Sequence, residues 1–207
     1  MNSQLLFLFL TFFLHHTHSF PTPTATPPTT ATSFDFIRSS CNTTLYPDVC
    51  YTSLSRYANA VRLDPAQLAR ISIGLTLARA RHASAFFANM TQRADYGPDP
   101  RATSALHDCS STFGDAVDQI HKSLKEMSQV ASAAESSTIE ALRFQLSNVQ
   151  TWMSAALTNE DTCTDGFEDV AECPVKDEVF DKIVIVKEYT SNALALVNSY
   201  AASVNPR

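Results

Sequence analysis

Charge is missing from the first 33 residues of this 207-residue chain; they contain no Asp, Glu, Lys or Arg, and the first charged side chain is Asp35. Within that stretch Leu5 to Leu14 is an apolar run interrupted only by Thr11. Such a run is about half the length a membrane-spanning helix needs, but it suits the core of a secretory leader. The small residues Thr17 and Ser19 place the cleavage after Ser19, giving a signal peptide over 1–19. The basic residue that usually precedes the apolar run is absent. His15, His16 and His18, followed at once by a Pro/Thr tract, exclude a buried core helix here. Residues 20–33 include PTPTATPPTTATS, which has little to bury and reads as a flexible or polyproline-like linker. No second apolar run of spanning length follows, so the mature protein is expected to be soluble and to have no membrane partner.

Other absences narrow the function. Only four glycines occur, and no stretch alternates convincingly with period two, which excludes a β-rich fold. A basic excess is lacking: the net charge is −6 and the pI near 5.4, so phosphate repulsion argues against nucleic acid. There is no G-x-S-x-G, no H-E-x-x-H and no Gly-rich phosphate loop. His82, His107 and His121 have no Ser or Cys nucleophile beside them in a recognisable pattern. C-x-x-C pairs and zinc-like Cys/His spacings are also absent, so no metal or cofactor is expected. These absences favour a binding protein over an enzyme.

What is present is a set of five cysteines: Cys41, Cys50, Cys109, Cys163 and Cys173. Behind a secretory leader they read as disulfides. N-x-S/T sequons at Asn42 and Asn89 suit the same compartment. Between Asp64-Pro65, a helix start, and Asn205-Pro206, the chain reads as four amphipathic helices. The first carries Leu68, Ile71, Leu75, Ala78, Ala85 and Phe86, with His82 expected as a core histidine on that face. It breaks in TQRADYGPDP (91–100). The second carries Leu106, Cys109, Phe113, Ala116, Ile120, Leu124 and Met127; the third, after the polar segment 132–137, carries Ile139, Leu142, Leu146, Val149, Met153 and Ala156. The last carries Val179, Ile183, Val186, Ala193, Leu194 and Val197. Steps of three and four with short connections define an all-α, up-down-up-down four-helix bundle.

The stripes also locate a disulfide. Cys109 lies near the start of the second inward stripe, and continuing the third stripe past Ala156 passes through 160 and 163. Antiparallel neighbours bring those ends together, predicting Cys109–Cys163. Cys41 and Cys50 stand about 13 Å apart along a continuous helix, too far to bond. A turn at Leu45-Tyr46-Pro47-Asp48 lets them meet in an N-terminal helical hairpin, leaving Cys173 as a free thiol. The acids Asp115, Asp118, Glu160, Asp161, Asp165, Glu168 and Asp169 read as mainly solvent-facing, a hydrated surface rather than an acid–base pair.

Four strings carry a resemblance: CNTTLYPDVCYTSL (41–54), ALHDCSSTFGDAVDQIHKSL (105–124), TWMSAALTNEDTCTDGFED (151–169) and TSNALALVNS (190–199). In this order they resemble the plant invertase and pectin methylesterase inhibitor family across a domain spanning 34–207. The resemblance implies a four-helix bundle with an N-terminal hairpin, disulfides pairing the first cysteine with the second and the third with the fourth, and secretion to the apoplast and cell wall. It further implies a one-to-one complex over the active-site cleft of pectin methylesterase or, alternatively, of acid invertase. Invertase-type inhibitors carry a Pro-Lys-Phe motif in a loop; here the nearest string is Pro174-Val175-Lys176. Pectin methylesterase is therefore the expected partner. The same domain also forms the pro-region of pectin methylesterases; with this sequence ending at Arg207, a free-standing inhibitor is expected. Carried over by motif, the partner-binding residues are Thr158, Asn159, Glu160, Asp161 and Thr162, joined by Asp115, Asp118 and His121 from the second bundle helix. Because carboxylates and His121 can change charge, affinity is expected to vary with pH. Two other classes compete: a secreted helical signalling ligand, and an apolar-ligand carrier, which the filled Leu/Ile/Val/Phe stripes disfavour.

Overall fold

The computed structural model describes residues 30–93, 100–133 and 138–204. The leader read in 1–19 and most of the linker read in 20–33 lie outside the described residues. Helix α1 (Thr30–Cys41) nevertheless begins inside the segment read as linker, and Ser33 is buried. Residues 30–33 therefore belong to a helix rather than to a flexible linker. Pro28 is the last proline of the tract, and beyond it nothing prevents a helix whose Ser33 and Ile37 pack inward.

A turn then leads into α2 (Pro47–Leu54), which starts on proline, the residue whose missing N–H costs least at a helix start. Cys41 and Cys50 are disulfide-bonded with their Cα atoms 5.5 Å apart, and Arg38 lies 4.0 Å above the Tyr51 ring, so α1 and α2 form the expected hairpin. A short 3₁₀ turn (Ser55–Tyr57) and α3 (Ala58–Val61) continue it. Arg62 and Leu63 reverse the chain with φ of 49° and 63°. Asp64 then caps α4 (Pro65–Gln92), its carboxylate accepting from the N–H groups of Ala66 and Gln67.

The bundle consists of α4, α5 (Pro100–Ala133), α6 (Ile139–Asp165) and α7 (Pro174–Val204). Each packs on its neighbours in the chain, and α7 closes the ring against α4. Cross-links at matching heights show the antiparallel order: Cys109–Cys163 and Asn148–Glu126 join α5 to α6, Gln150–Asn198 joins α6 to α7, and Thr76–Tyr189 joins α4 to α7. Among the described residues the fold is all-helical, without strands. The up-down-up-down bundle and both disulfides are as expected, and Cys173 is a half-buried free thiol.

The α5 stripe is inward at Leu106, Cys109, Phe113, Ala116, Ile120 and Met127, with Leu124 half-buried. The α4 stripe holds at Leu68, which is buried, but not along its length. Ala78, His82 and Ala85 are exposed, and Ile71 and Leu75 are only half-buried; the inward face runs through Ala69, Ser72, Ile73, Thr76, Ala80, Ala83 and Phe87. His82 is therefore not a core histidine. Small residues recur on this face, and the Thr76 hydroxyl has acceptors both in its own helix, at Ser72 O, and across the seam with α7, at Tyr189 O. On α6, Ile139 is likewise corrected from inward to exposed, because it lies in the first helical turn beyond the reach of the packed seam.

One side chain docks the hairpin on the bundle. Asn192 of α7 is buried, accepts from the Tyr46 N–H (3.1 Å) and donates to the Tyr46 carbonyl (2.9 Å). Replacing it with leucine leaves the Tyr46 N–H without its partner, at a cost of about 1–3 kcal/mol, while the Tyr46 carbonyl keeps its bond from the Cys50 N–H. The N192L chain is expected to show faster amide hydrogen exchange in residues 41–54 while α5 and α6 keep their protection. Unchanged exchange there would show that the hairpin is held without this contact.

Candidate functional site

The residues carried over by motif sit on the α5–α6 side of the bundle, and the structure divides them. The Cys109–Cys163 disulfide (Cα–Cα 4.2 Å) and the hydrogen bond from Asn159 to Gln119 (3.0 Å) hold the C-terminal half of α6 level with the N-terminal half of α5. Asp115, Asp118 and His121 are exposed on α5, and Thr158 and Thr162 are exposed on α6 at the same height. All five are exposed, on two helices joined side by side.

Three residues of the ALTNEDTC string are engaged inside the protein instead. Asn159 is half-buried and tied to Gln119, so it braces α6 against α5. Asp161 forms an ion pair with Lys187, bracing α6 against α7 at a partly exposed position. Glu160 is fully buried. Its place on the partner surface is therefore corrected, as is its assignment to the solvent-facing acids. Position 160 is on the inward phase that leads from Ala156 to Cys163, and periodicity overrides the charge. Burial pushes its carboxyl up to about 8, only partly offset by the hydrogen bond it shares with the Thr190 hydroxyl at 2.7 Å; Asp161 adds to the rise and Lys187 opposes it.

The exposed face extends further along α6 than the motif indicates. Phe144, Ser147, Thr151, Ser154, Thr158 and Thr162 recur at steps of three and four, and all are exposed; Phe144 is 68% exposed. The hydroxyls of Thr151, Thr158 and Thr162 donate to the carbonyls four residues earlier. That period was visible in the sequence. The inward stripe of the same helix, made of larger apolar residues, is the stronger signal.

No catalytic grouping accompanies this face. A cleft of about 400 Å³ between α2, the 3₁₀ turn, α4 and α7 is lined by Asp48, Thr52, Arg56, Arg79 and Glu188, with no residue from α5 or α6. Among the described residues no three His, Cys, Asp or Glu side chains are placed to hold a metal, and no helix is long and apolar enough to cross a membrane. The Pro174-Val175-Lys176 string opens α7 rather than forming a presented loop; Val175 is buried and Lys176 is tied to the Val170 carbonyl (3.0 Å) and Glu172 (3.1 Å).

The geometry defines a disulfide-braced, all-helical bundle among the described residues. Residues 35–196 match the model of the family described as plant invertase/pectin methylesterase inhibitor, and the chain belongs to that family of non-catalytic inhibitors. It is 42% identical over 172 residues to pectinesterase inhibitor 10 of Arabidopsis thaliana, covering 83% of this chain and 53% of that one, so the match spans about half of that relative's length. It is 42% identical over 176 residues to pectinesterase inhibitor 9 of the same plant, covering 84% of each. Its fold is similar to the crystal structure of a mutant pectin methylesterase inhibitor from Arabidopsis, with a TM-score of 0.59 at 21% identity, over 76% of this chain and 92% of that one.

Proposed function

We propose that this protein is an extracellular inhibitor of pectin methylesterase that forms a one-to-one complex and covers the enzyme's active-site cleft with its α5–α6 face. The observation that carries the reading is the face itself: Asp115, Asp118, His121, Thr158 and Thr162 are exposed together, on two helices that a disulfide holds in register. Hydroxyls and carboxylates there match the polarity of a cleft shaped for a hydroxyl-rich, acidic polysaccharide. Relatives named pectinesterase inhibitors support the choice of enzyme. Acid invertase is disfavoured as the target because the string nearest to Pro-Lys-Phe is bound into a helix start. Export is supported by the leader in 1–19, and the sequon residues Asn42 and Asn89 are both exposed, as acceptors of glycans must be.

Titration of a pectin methylesterase with the purified protein is expected to end at one equivalent, with acid invertase unaffected. Failure to inhibit either enzyme, with the disulfides intact, would overturn the reading. Arginine at both Thr158 and Thr162 is expected to weaken inhibition at least about tenfold, since bulk and charge enter the centre of the face. Asp48→Lys, in the cleft outside that face, is expected to leave inhibition unchanged.

A further inference from the structure

Most exposed carboxylates of this chain are ordinary surface charges, but Glu160 stands alone in the core. Among the described residues it is the one acidic or basic side chain buried in the core. The buried side chains that α4 and α5 contribute, among them Thr76, Ala80, Ala83, Phe113, Ala116 and Ile120, include no ionisable group. The charges that act on it are Asp161 on its own helix and Lys187 on α7, and these two are paired with each other. One carboxyl oxygen faces the Thr190 hydroxyl at 2.7 Å; the other is buried without a hydrogen-bond partner.

The proton count at Thr190 is informative. That hydroxyl has one hydrogen and two acceptors within reach, Glu160 Oε1 at 2.7 Å and the Val186 carbonyl at 3.0 Å. If Glu160 is ionised, Thr190 can satisfy only one of them, and a buried negative charge retains an unpaired oxygen. If Glu160 carries a proton, its O–H donates to Thr190 Oγ1 and Thr190 donates to Val186 O. Both contacts are then filled in one chain of hydrogen bonds running across the α6–α7 seam.

We propose that Glu160 is a proton-held latch between α6 and α7, closed while its carboxyl is neutral and released when mildly alkaline conditions remove the proton. The folded chain keeps the proton until about pH 8, whereas an unfolded glutamate releases it near its ordinary value of 4.5. The latch therefore contributes in full below about pH 4.5, and its contribution is lost progressively as pH rises through the folded value. Over that window the unfolding equilibrium constant shifts toward the unfolded chain by at most about tenfold per pH unit. The inference stands on the core geometry and does not depend on which enzyme the protein binds.

The test is urea unfolding of the disulfide-intact wild type and E160Q between about pH 4 and pH 9. The amide keeps the shape and cannot ionise. The wild-type midpoint is expected to fall through this range well beyond that of E160Q, so that the difference between the two curves changes steadily and levels off above pH 8. Parallel curves would overturn the proposal. Should E160Q not fold, the infrared carbonyl stretch of the wild type decides: a protonated carboxylic acid persisting at pH 7 and vanishing above pH 9 supports the latch, and its absence at pH 7 sinks it.

Discussion

Phe113→Ala is expected to remove about 3–5 kcal/mol of unfolding free energy, the largest effect of any single truncation considered. Phe113 is fully buried on α5, one turn beyond Cys109, and its ring meets Phe87 of α4 edge-on at 5.0 Å between centroids. The truncation removes the transfer free energy of the ring and leaves a cavity that three surrounding helices cannot readily close. It also removes the edge-to-face contact, worth about 0.5–1.5 kcal/mol. A domain of this size has only about 5–15 kcal/mol in total. The variant should therefore unfold at much lower urea with an unchanged slope. A midpoint within experimental error of wild type would mean that the α4–α5 seam repacks freely, contrary to the close packing described.

Replacing Cys109 and Cys163 together with alanine is expected to cost about 2–4 kcal/mol. The bond closes a loop whose ends are 54 residues apart in sequence, and both half-cystines are almost completely inaccessible. Alanine at both sites avoids burying thiols or hydroxyls, so the loss reports mainly the freedom regained by the unfolded chain. The corresponding Cys41–Cys50 bond spans only nine residues and should matter less to global unfolding. Comparison of the two double variants in urea checks both the magnitude and the order. Inhibition should weaken more in the Cys109/Cys163 variant, because that bond holds the two helices of the binding face in register.

Individual positions explain what could be seen in the sequence. The α5 seam was legible because large apolar residues recur at three and four and nothing competes with them. Cys163 was legible through the same arithmetic, carried forward from Ala156. That arithmetic also passed through Glu160, yet its charge suggested the surface; residue type and phase disagreed, and phase was right. The α4 seam was obscured for the opposite reason. Its buried face includes Ala69, Ser72, Thr76 and Ala80, small residues whose hydropathy does not mark them as core. Asn192 could not have been found locally, since its partner Tyr46 lies 146 residues away. For the site, the motif points to the α5–α6 side of the bundle. It could not separate side chains that face outward, such as Thr158 and Thr162, from those that brace the helices, such as Asn159 and Asp161.

The hydroxyl ridge of α6 has a directional chemistry. Thr151, Thr158 and Thr162 direct their hydrogens back along the helix to Ser147, Ser154 and Thr158, so what they turn outward is lone pairs. Such a ridge is an acceptor strip. A protein that covers it without disturbing the helix must bring donors, namely arginine, lysine or amide N–H groups. It must also strip little water from the hydroxyl protons, which are already satisfied.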